Sequence, residues 1–229
     1  VSTQQEGNAI LAAKTPTLDM FAQQYPLATI TAAGTEVGLP WGEVGNSETG
    51  HRNIGAGRVA YQIRQTIDRE IERGTFFTNE VLLSALQHAE KNKSKLHLMG
   101  LVGPGGVHAH SSHLFALLKL LQQQHFSQPV YLHLFTDGRD TGPQMALAHV
   151  EEVEEQLNEM GIGRVASVTG RLYAMDRNEN WDRTQATYDM LTGHPSTGSG
   201  QATAPSAWEA VRQAYAQQIF DEKIPPTVI

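Results

Sequence analysis

Three apolar segments, each running straight into a loop of glycine, histidine, arginine and aspartate, constrain this chain more than anything else in it. Residues 95–102 (KLHLMGLV) lead into GPGGVHAH, residues 130–135 (VYLHLF) into TDGRD, and residues 164–169 (RVASVT) into GRLYAMDR. Runs this short and this apolar read as strands buried on both faces. Helical patterns at residues 81–91, 111–125 and 144–160 separate them, so the connections are βαβ crossovers. Alternation of that kind predicts an α/β fold, a mostly parallel sheet with helices on both faces and the three loops along one edge. Ligands of open α/β sheets bind in the crevice outside the carboxyl ends of the strands. That edge collects His108, His110, Arg139, Asp140, Arg171, Asp176 and Arg177.

Charge narrows what such an edge holds. With 24 Asp and Glu against 17 Lys and Arg, the formal net charge is -7, and the general basic field that nucleic acid or an anionic membrane surface needs is missing. Arginines set in glycine-rich loops against that background point to a pocket for a small anion. The chain has no cysteine, which excludes disulfides and thiolate chemistry. No apolar run is long enough to span a bilayer, and the opening residues VSTQQEGN have no secretory apolar core. The expectation is a cytoplasmic protein that contacts neither membrane nor nucleic acid.

Upstream, Asn8 and the pair Thr15-Pro16 each mark a helix start, with Leu18, Phe21 and Ala22 facing a core. Residues 27–32 (LATITA) have the β-branched content of a short strand. Residues 34–57 are crowded with glycine and read as an irregular functional loop. Val59, Ile63, Ile67 and Ile71 recur every four residues, predicting an amphipathic helix over 59–73. The domain boundary is placed near its start, giving residues 1–61 and 62–229. Downstream, a helix from Trp181 through Leu191, a Ser/Thr/Gly/Pro surface loop at residues 194–207 and a helix over 208–220 are expected. The chain opens on Val1 and closes on Thr227-Val228-Ile229, which reads as an interrupted strand; truncation at both ends is the expectation.

Each candidate site residue has a plainer alternative. In GNSETGH, Ser47 lies between glycines ahead of a helix start, where a serine nucleophile could find backbone N–H groups to hold an anion and His51 to activate it. An N-cap serine in a glycine-rich turn fits the same residues. His108, His110 and His113 could ligate zinc only with a further ligand and an orienting second shell, so contact of His108 with a phosphate or carboxylate near a helix N-terminus is preferred. Arg139 can hold such a group bidentately while Asp140 accepts a proton from a substrate hydroxyl; an internal Arg139–Asp140 ion pair is equally consistent with the motif. Arg171, Arg177 and Arg183 would repel one another unless anions offset them, either a ligand or Asp176 and Asp182.

Together these motifs resemble one family, the cofactor-independent (2,3-bisphosphoglycerate-independent) phosphoglycerate mutases of the alkaline phosphatase superfamily. The pattern GLP-x-G-x-x-GNSE-x-GH-x-NIGAGR runs from Gly38 to Arg58, and GGVHAH, FTDGRDTGP and GRLYAMDRNENWDR follow in the family's order. The resemblance implies that residues 1–61 are a fragment of an alkaline-phosphatase-like α/β domain and residues 62–229 most of an inserted phosphotransferase domain. It implies interconversion of 3-phosphoglycerate and 2-phosphoglycerate, in glycolysis and gluconeogenesis, through a phosphoserine intermediate. Ser47 matches the catalytic nucleophile, which is also a ligand of one of two divalent metal ions, commonly manganese, whose other ligands lie outside this sequence. His108, Arg139, Asp140, Arg171 and Arg177 match the substrate-binding residues, and Asp140 is the candidate catalytic base. The resemblance further implies a monomer with phosphoglycerate as its small-molecule partner and no organic cofactor. Gly103-Pro104 before GGVH, DGRDTGP for DGRDTPP and GRLYAMDR for GRYYAMDR depart from the family pattern but leave its charged groups in place. Two other functions stay open, a non-catalytic anion-binding module and a metal-dependent phosphatase of the same superfamily.

Overall fold

The structure, a computed structural model, describes residues 4–193 and 202–229. It divides into two compact units, Val1–Gln65 and Thr66–Ile229. The smaller unit contains α1 (Ala9–Ala12), α2 (Pro16–Gln24), a 3₁₀ turn at Thr35–Val37 and α3 (Ser47–Ala56), and α4 (Ile63–Arg73) starts at its end. Two expectations for this unit fail for one reason. The strand expected at residues 27–32 does not form, and Leu27 and Ile30 are 76% and 87% exposed. Leu18 and Phe21 on α2 likewise face no core and are exposed. A strand needs a ladder partner and a helix stripe needs a facing layer; among its described residues this unit has no strand, and Leu39 is its one fully buried large apolar side chain.

The helix expected over residues 59–73 begins only at Ile63. Asn53 on α3 explains the delay: its side chain donates to the Val37 carbonyl at 2.8 Å and accepts from the Ala60 N–H at 2.7 Å, so the chain ahead of α4 is bonded across the unit instead of along a helix.

The larger unit continues with α5 (Glu80–Asn92), β1 (Leu96–Leu101), α6 (Ser111–Gln123), β2 (Val130–Thr136), α7 (Ala146–Met160), β3 (Arg164–Gly170), α8 (Arg171–Ala174), α9 (Trp181–Thr192), β4 (Ala202–Thr203), α10 (Ala207–Ala216) and β5 (Thr227–Val228). These strands form one sheet in the order β1-β2-β3-β5-β4. The three apolar segments of the sequence are its parallel part, and β5 pairs antiparallel to β3. β2 and β3 each bury five of seven positions, as strands covered on both faces do, whereas β1, at the edge of the sheet, is not buried on both faces as expected and leaves His97 and Met99 exposed. Leu118, Leu120, Leu132, Val150, Val153, Val168, Val211 and Ile224 form the centre of the core, each 0–1% exposed.

Two boundaries differ from expectation. Part of the segment expected as a loop at residues 194–207 is strand β4, held by β5, while residues 194–201 lie outside the described residues. The last helix stops at Ala216 instead of residue 220, because Gln218 adopts a φ of 60° and the Ile219 N–H turns back to the Ala214 carbonyl. No helix among the described residues is long and apolar enough to cross a membrane.

His97, His133 and Ser167 lie on successive strands and form a chain across the sheet. His133 Nδ1 is 2.7 Å from the Ser167 hydroxyl, His133 Nε2 is 2.9 Å from His97 Nδ1, and the two imidazoles stack at 5.2 Å. Burial, and then the neighbouring His97, hold the His133 pKa below its ordinary 6.5. The folded protein therefore binds fewer protons at this site than the unfolded chain once pH falls below that value. Stability should be fully present above about pH 6.5 and fall progressively as pH drops through the lowered pKa of the folded state. The unfolding midpoint, followed from pH 8 to pH 5, should fall less steeply in His133→Gln than in the wild-type chain; equal slopes would contradict this.

Candidate functional site

The loops after β1, β2 and β3 converge as the strand order requires. At the end of β2 the chain turns at Gly138, and the buried Asp137 controls the turn by accepting the N–H groups of Arg139 and Asp140 on one carboxylate oxygen, each at 3.2 Å. At the end of β3, Arg171 opens α8 and is itself buried. Its Nη1 donates to that same oxygen of Asp137 at 2.5 Å and to Oδ2 of Asp140 at 2.7 Å. The loop after β1 is closed by Gly103 and Ser111, the Gly103 N–H donating to the Ser111 hydroxyl at 2.7 Å and the Ser111 N–H to the Gly103 carbonyl at 3.0 Å. That closure carries His108 to within 3.9 Å of Asp140 Oδ2.

Between these loops lies a cavity of about 310 Å³ lined by His108, Arg139, Asp140, Arg171, Arg177, Arg183, Asp176 and Glu222 among others. All five residues matched to substrate binding, His108, Arg139, Asp140, Arg171 and Arg177, thus line one pocket. Their pairings match the plain alternatives only in part. Arg139 and Asp140 do not pair with each other; Arg139 faces Glu222 at 3.7 Å and Asp140 is held by Arg171. Among the described residues Asp182 offsets no arginine, whereas Asp176 pairs with Arg183 at 3.2 Å. Arg177 is exposed and makes no ion pair among the described residues.

The electrostatics divide these arginines by task. Burial alone would raise the Asp137 pKa, but the Arg171 hydrogen bond and the two backbone N–H groups outweigh it and hold the carboxyl below its usual value. Arg171 therefore has its charge offset and offers directed donors on Nε and Nη2, whereas Arg177 and the loosely paired Arg139 offer net charge. Asp176, held low first by the Asn180 side chain, neutralises Arg183.

His110 and His113 are committed elsewhere. His110 caps α6 by accepting the Ser112 N–H, and His113 Nε2 pairs with Asp68 at 2.7 Å.

Ser47 belongs to the smaller unit and stands at the first position of α3. The cap is Asn46, whose side chain accepts the Thr49 N–H at 2.9 Å, so the N-cap-serine alternative is incorrect by one residue. His51 Nδ1 lies 3.1 Å from Ser47 Oγ and 2.8 Å from the Ser47 carbonyl. A carbonyl oxygen only accepts, so the shorter contact requires a proton on Nδ1. In that arrangement His51 cannot take the serine proton through Nδ1.

Two divalent ions need many oxygen or nitrogen donors between them. Among the described residues no group of three or more His, Asp and Glu side chains could hold a metal ion, and Ser47 is the one matched ligand. The described residues of this chain therefore do not complete such a centre by themselves.

Sequence reasoning missed Asp137 as the partner of Arg171, and also Asp221 and Glu222. The signal for Asp137 was its position two residues before Arg139, from which an aspartate bonds its own backbone. For Asp221 the signal was the absence of any capping side chain at Met145, ahead of α7.

Fold and site define a mainly parallel α/β protein with an arginine-lined pocket at the carboxyl ends of its strands. Residues 67–229 match the family profile described as BPG-independent PGAM N-terminus. The 2,3-bisphosphoglycerate-independent phosphoglycerate mutase of Acetivibrio thermocellus is 45% identical over 229 residues, all of this chain and 44% of the relative. That of Chloroflexus aurantiacus is 49% identical over 223 residues, 97% of this chain and 40% of the relative. Crystal structures of Leishmania mexicana phosphoglycerate mutase at low cobalt concentration give a TM-score of 0.73 at 28% identity, over 94% of this chain and 40% of that one. The chain belongs to the 2,3-bisphosphoglycerate-independent phosphoglycerate mutase family, and it spans less than half the length of the relatives it matches.

Proposed function

We propose that the protein of which this chain is part interconverts 3-phosphoglycerate and 2-phosphoglycerate, with residues 62–229 as its substrate-binding domain and residues 1–61 as part of a phosphatase-like domain. The observation that supports this most is the convergence of His108, Arg139 and Arg171 from three successive strand ends on one cavity, with the free charge of Arg177 beside them. Phosphoglycerate carries a carboxylate and a phosphate, and charge-assisted hydrogen bonds from arginine recognise both. Arg171, fixed by two carboxylates, orients the ligand, while Arg139 and Arg177 neutralise it. Asp140 keeps Oδ1 free of donors among the described residues and serves as acceptor for the glycerate hydroxyl proton. Ser47 carries the phosphoryl group between the 3- and 2-hydroxyls as a phosphoserine. Divalent metal, manganese in this reading, would supply Lewis-acid stabilisation of the phosphoryl oxygens, with Ser47 the one ligand that this chain matches.

The test is an acid quench of the complete protein turning over phosphoryl-labelled 3-phosphoglycerate with manganese, followed by peptide mapping. Label is expected on Ser47; turnover with label on another residue, or on none, would contradict the assignment.

A further inference from the structure

Glu222 is out of character for a pocket that gathers arginines, and the fold fixes it there with care. The carboxylate of the fully buried Asp221 accepts the Met145 and Ala146 N–H groups at 2.9 and 3.0 Å and the Tyr215 hydroxyl. The Asp221 carbonyl accepts the Thr136 hydroxyl at 2.6 Å, and the Gly170 N–H donates to the Ile224 carbonyl at 2.7 Å. The Glu222 backbone is wedged between the ends of β2 and β3. A Cβ on Gly138 would come within 2.8 Å of the Glu222 nitrogen, and one on Gly170 would overlap the Glu222 carbonyl.

From this anchored backbone the side chain reaches Arg139, with Oε1 3.7 Å from Nε and side chains 32% and 58% exposed. The contrast with the other pairs is informative. Arg171 and Arg183 are closed at 2.5 and 3.2 Å by carboxylates only 5% and 4% exposed. A long, solvated pair is weak and readily exchanged, whereas a buried one is not.

We propose that Glu222 is a positioning residue that holds Arg139 while the pocket is empty and gives it up to an anionic group of the ligand, acting as a built-in competitor that loosens the pocket's hold. The inference rests on the reading of this cavity as the phosphoglycerate site. A ligand that must turn between two transfers is better held by an arginine that can be taken back than by one that stays.

The experiment is a double-mutant cycle on the 229-residue chain, with 3-phosphoglycerate as the probe at fixed salt. Glu222→Gln should bind about two- to fivefold tighter than wild type, mainly through slower release, as expected for removing a solvated ion-pair competitor. In an Arg139→Ala background the same change should have no effect. Unchanged or weaker binding by Glu222→Gln overturns the proposal. So does a gain that persists without Arg139, which would mark a general field effect. Failure of the pocket reading is distinguishable, because then Arg139→Ala alone leaves binding unchanged; that outcome overturns both. In the complete protein, Glu222→Gln should lower KM and kcat together, a pattern that damage to the fold does not produce.

Discussion

Replacing Arg171 with alanine should destabilise the larger unit by about 3–5 kcal/mol at neutral pH, the usual cost of breaking one partner out of a buried ion pair. The Asp137 carboxylate would remain, buried and without its cation, between the ends of β2 and β3. The sign of the pH dependence follows from its lowered pKa. In the wild-type chain Asp137 contributes stability that is present above the unfolded value of 3.8 and lost as pH falls through the folded one. Without Arg171 the folded pKa rises, so the penalty should be largest near pH 7 and shrink as acid protonates the stranded carboxyl. Urea unfolding of wild type and Arg171→Ala at pH 7 and pH 4 measures this, with Arg73→Ala on the exposed side of α4 as a control expected to change stability by less than about 0.5 kcal/mol. Where the variant remains folded, it should bind 3-phosphoglycerate more than tenfold less tightly, since a charge-assisted hydrogen bond contributes about 1.5–3 kcal/mol. A penalty that is the same at both pH values would place the loss outside the Arg171–Asp137 pair.

Asp221→Ala should be comparably damaging. The N–H of Met145, which caps α7, and the Tyr215 hydroxyl would lose their acceptor, and the Ala146 N–H would keep only the Tyr215 hydroxyl oxygen at 3.1 Å, at roughly 1–3 kcal/mol for each donor left buried and unsatisfied. The helix would also lose a negative charge at its positive end. Tyr215, its pKa now pushed up by burial and then by its bond to Asp221, would be freed to titrate closer to its ordinary range. Amide exchange at Met145 and Ala146 should accelerate well beyond that of core amides in β2, and spectrophotometric titration should find the tyrosine shift. Stability within about 1 kcal/mol of wild type would mean that another acceptor, or water, serves these donors.

How much of this was legible from residues depends on whether a pattern carries its own partner. β1, β2 and β3 were readable because each is a continuous apolar run and its neighbours follow in sequence, so crossover rules fix the order and the pocket edge. The positions of His108, Arg139, Asp140 and Arg171 follow directly, since all four lie in loops at strand ends. The pairing of Arg171 was not readable, because a guanidinium chooses among the nearby carboxylates by a geometry of a few tenths of an ångström, and Asp137, Asp140, Asp176 and Asp182 all lie in or just beyond the loops at the strand ends. Glu222 and Asp221 are brought to the site by a segment dozens of residues downstream that has no motif of its own. The LATITA run shows the converse. Its propensity is for strand, but a strand without a ladder is only a propensity, and Leu27 and Ile30 remain in solvent.

The central claim is that the strand-end pocket of the larger unit recognises phosphoglycerate, and an NMR titration of the isotopically labelled 229-residue chain with 3-phosphoglycerate tests it most directly. Saturable shifts are expected in the backbone amides of residues 105–108, 138–140 and 171–178 and in the Arg171 Nε–H. Residues 98–101, Leu114 and Leu117, which line a separate and largely apolar groove beside β1, should stay unmoved. Saturable shifts confined to that groove or to the smaller unit, with the Arg171 Nε–H unchanged, would contradict the account.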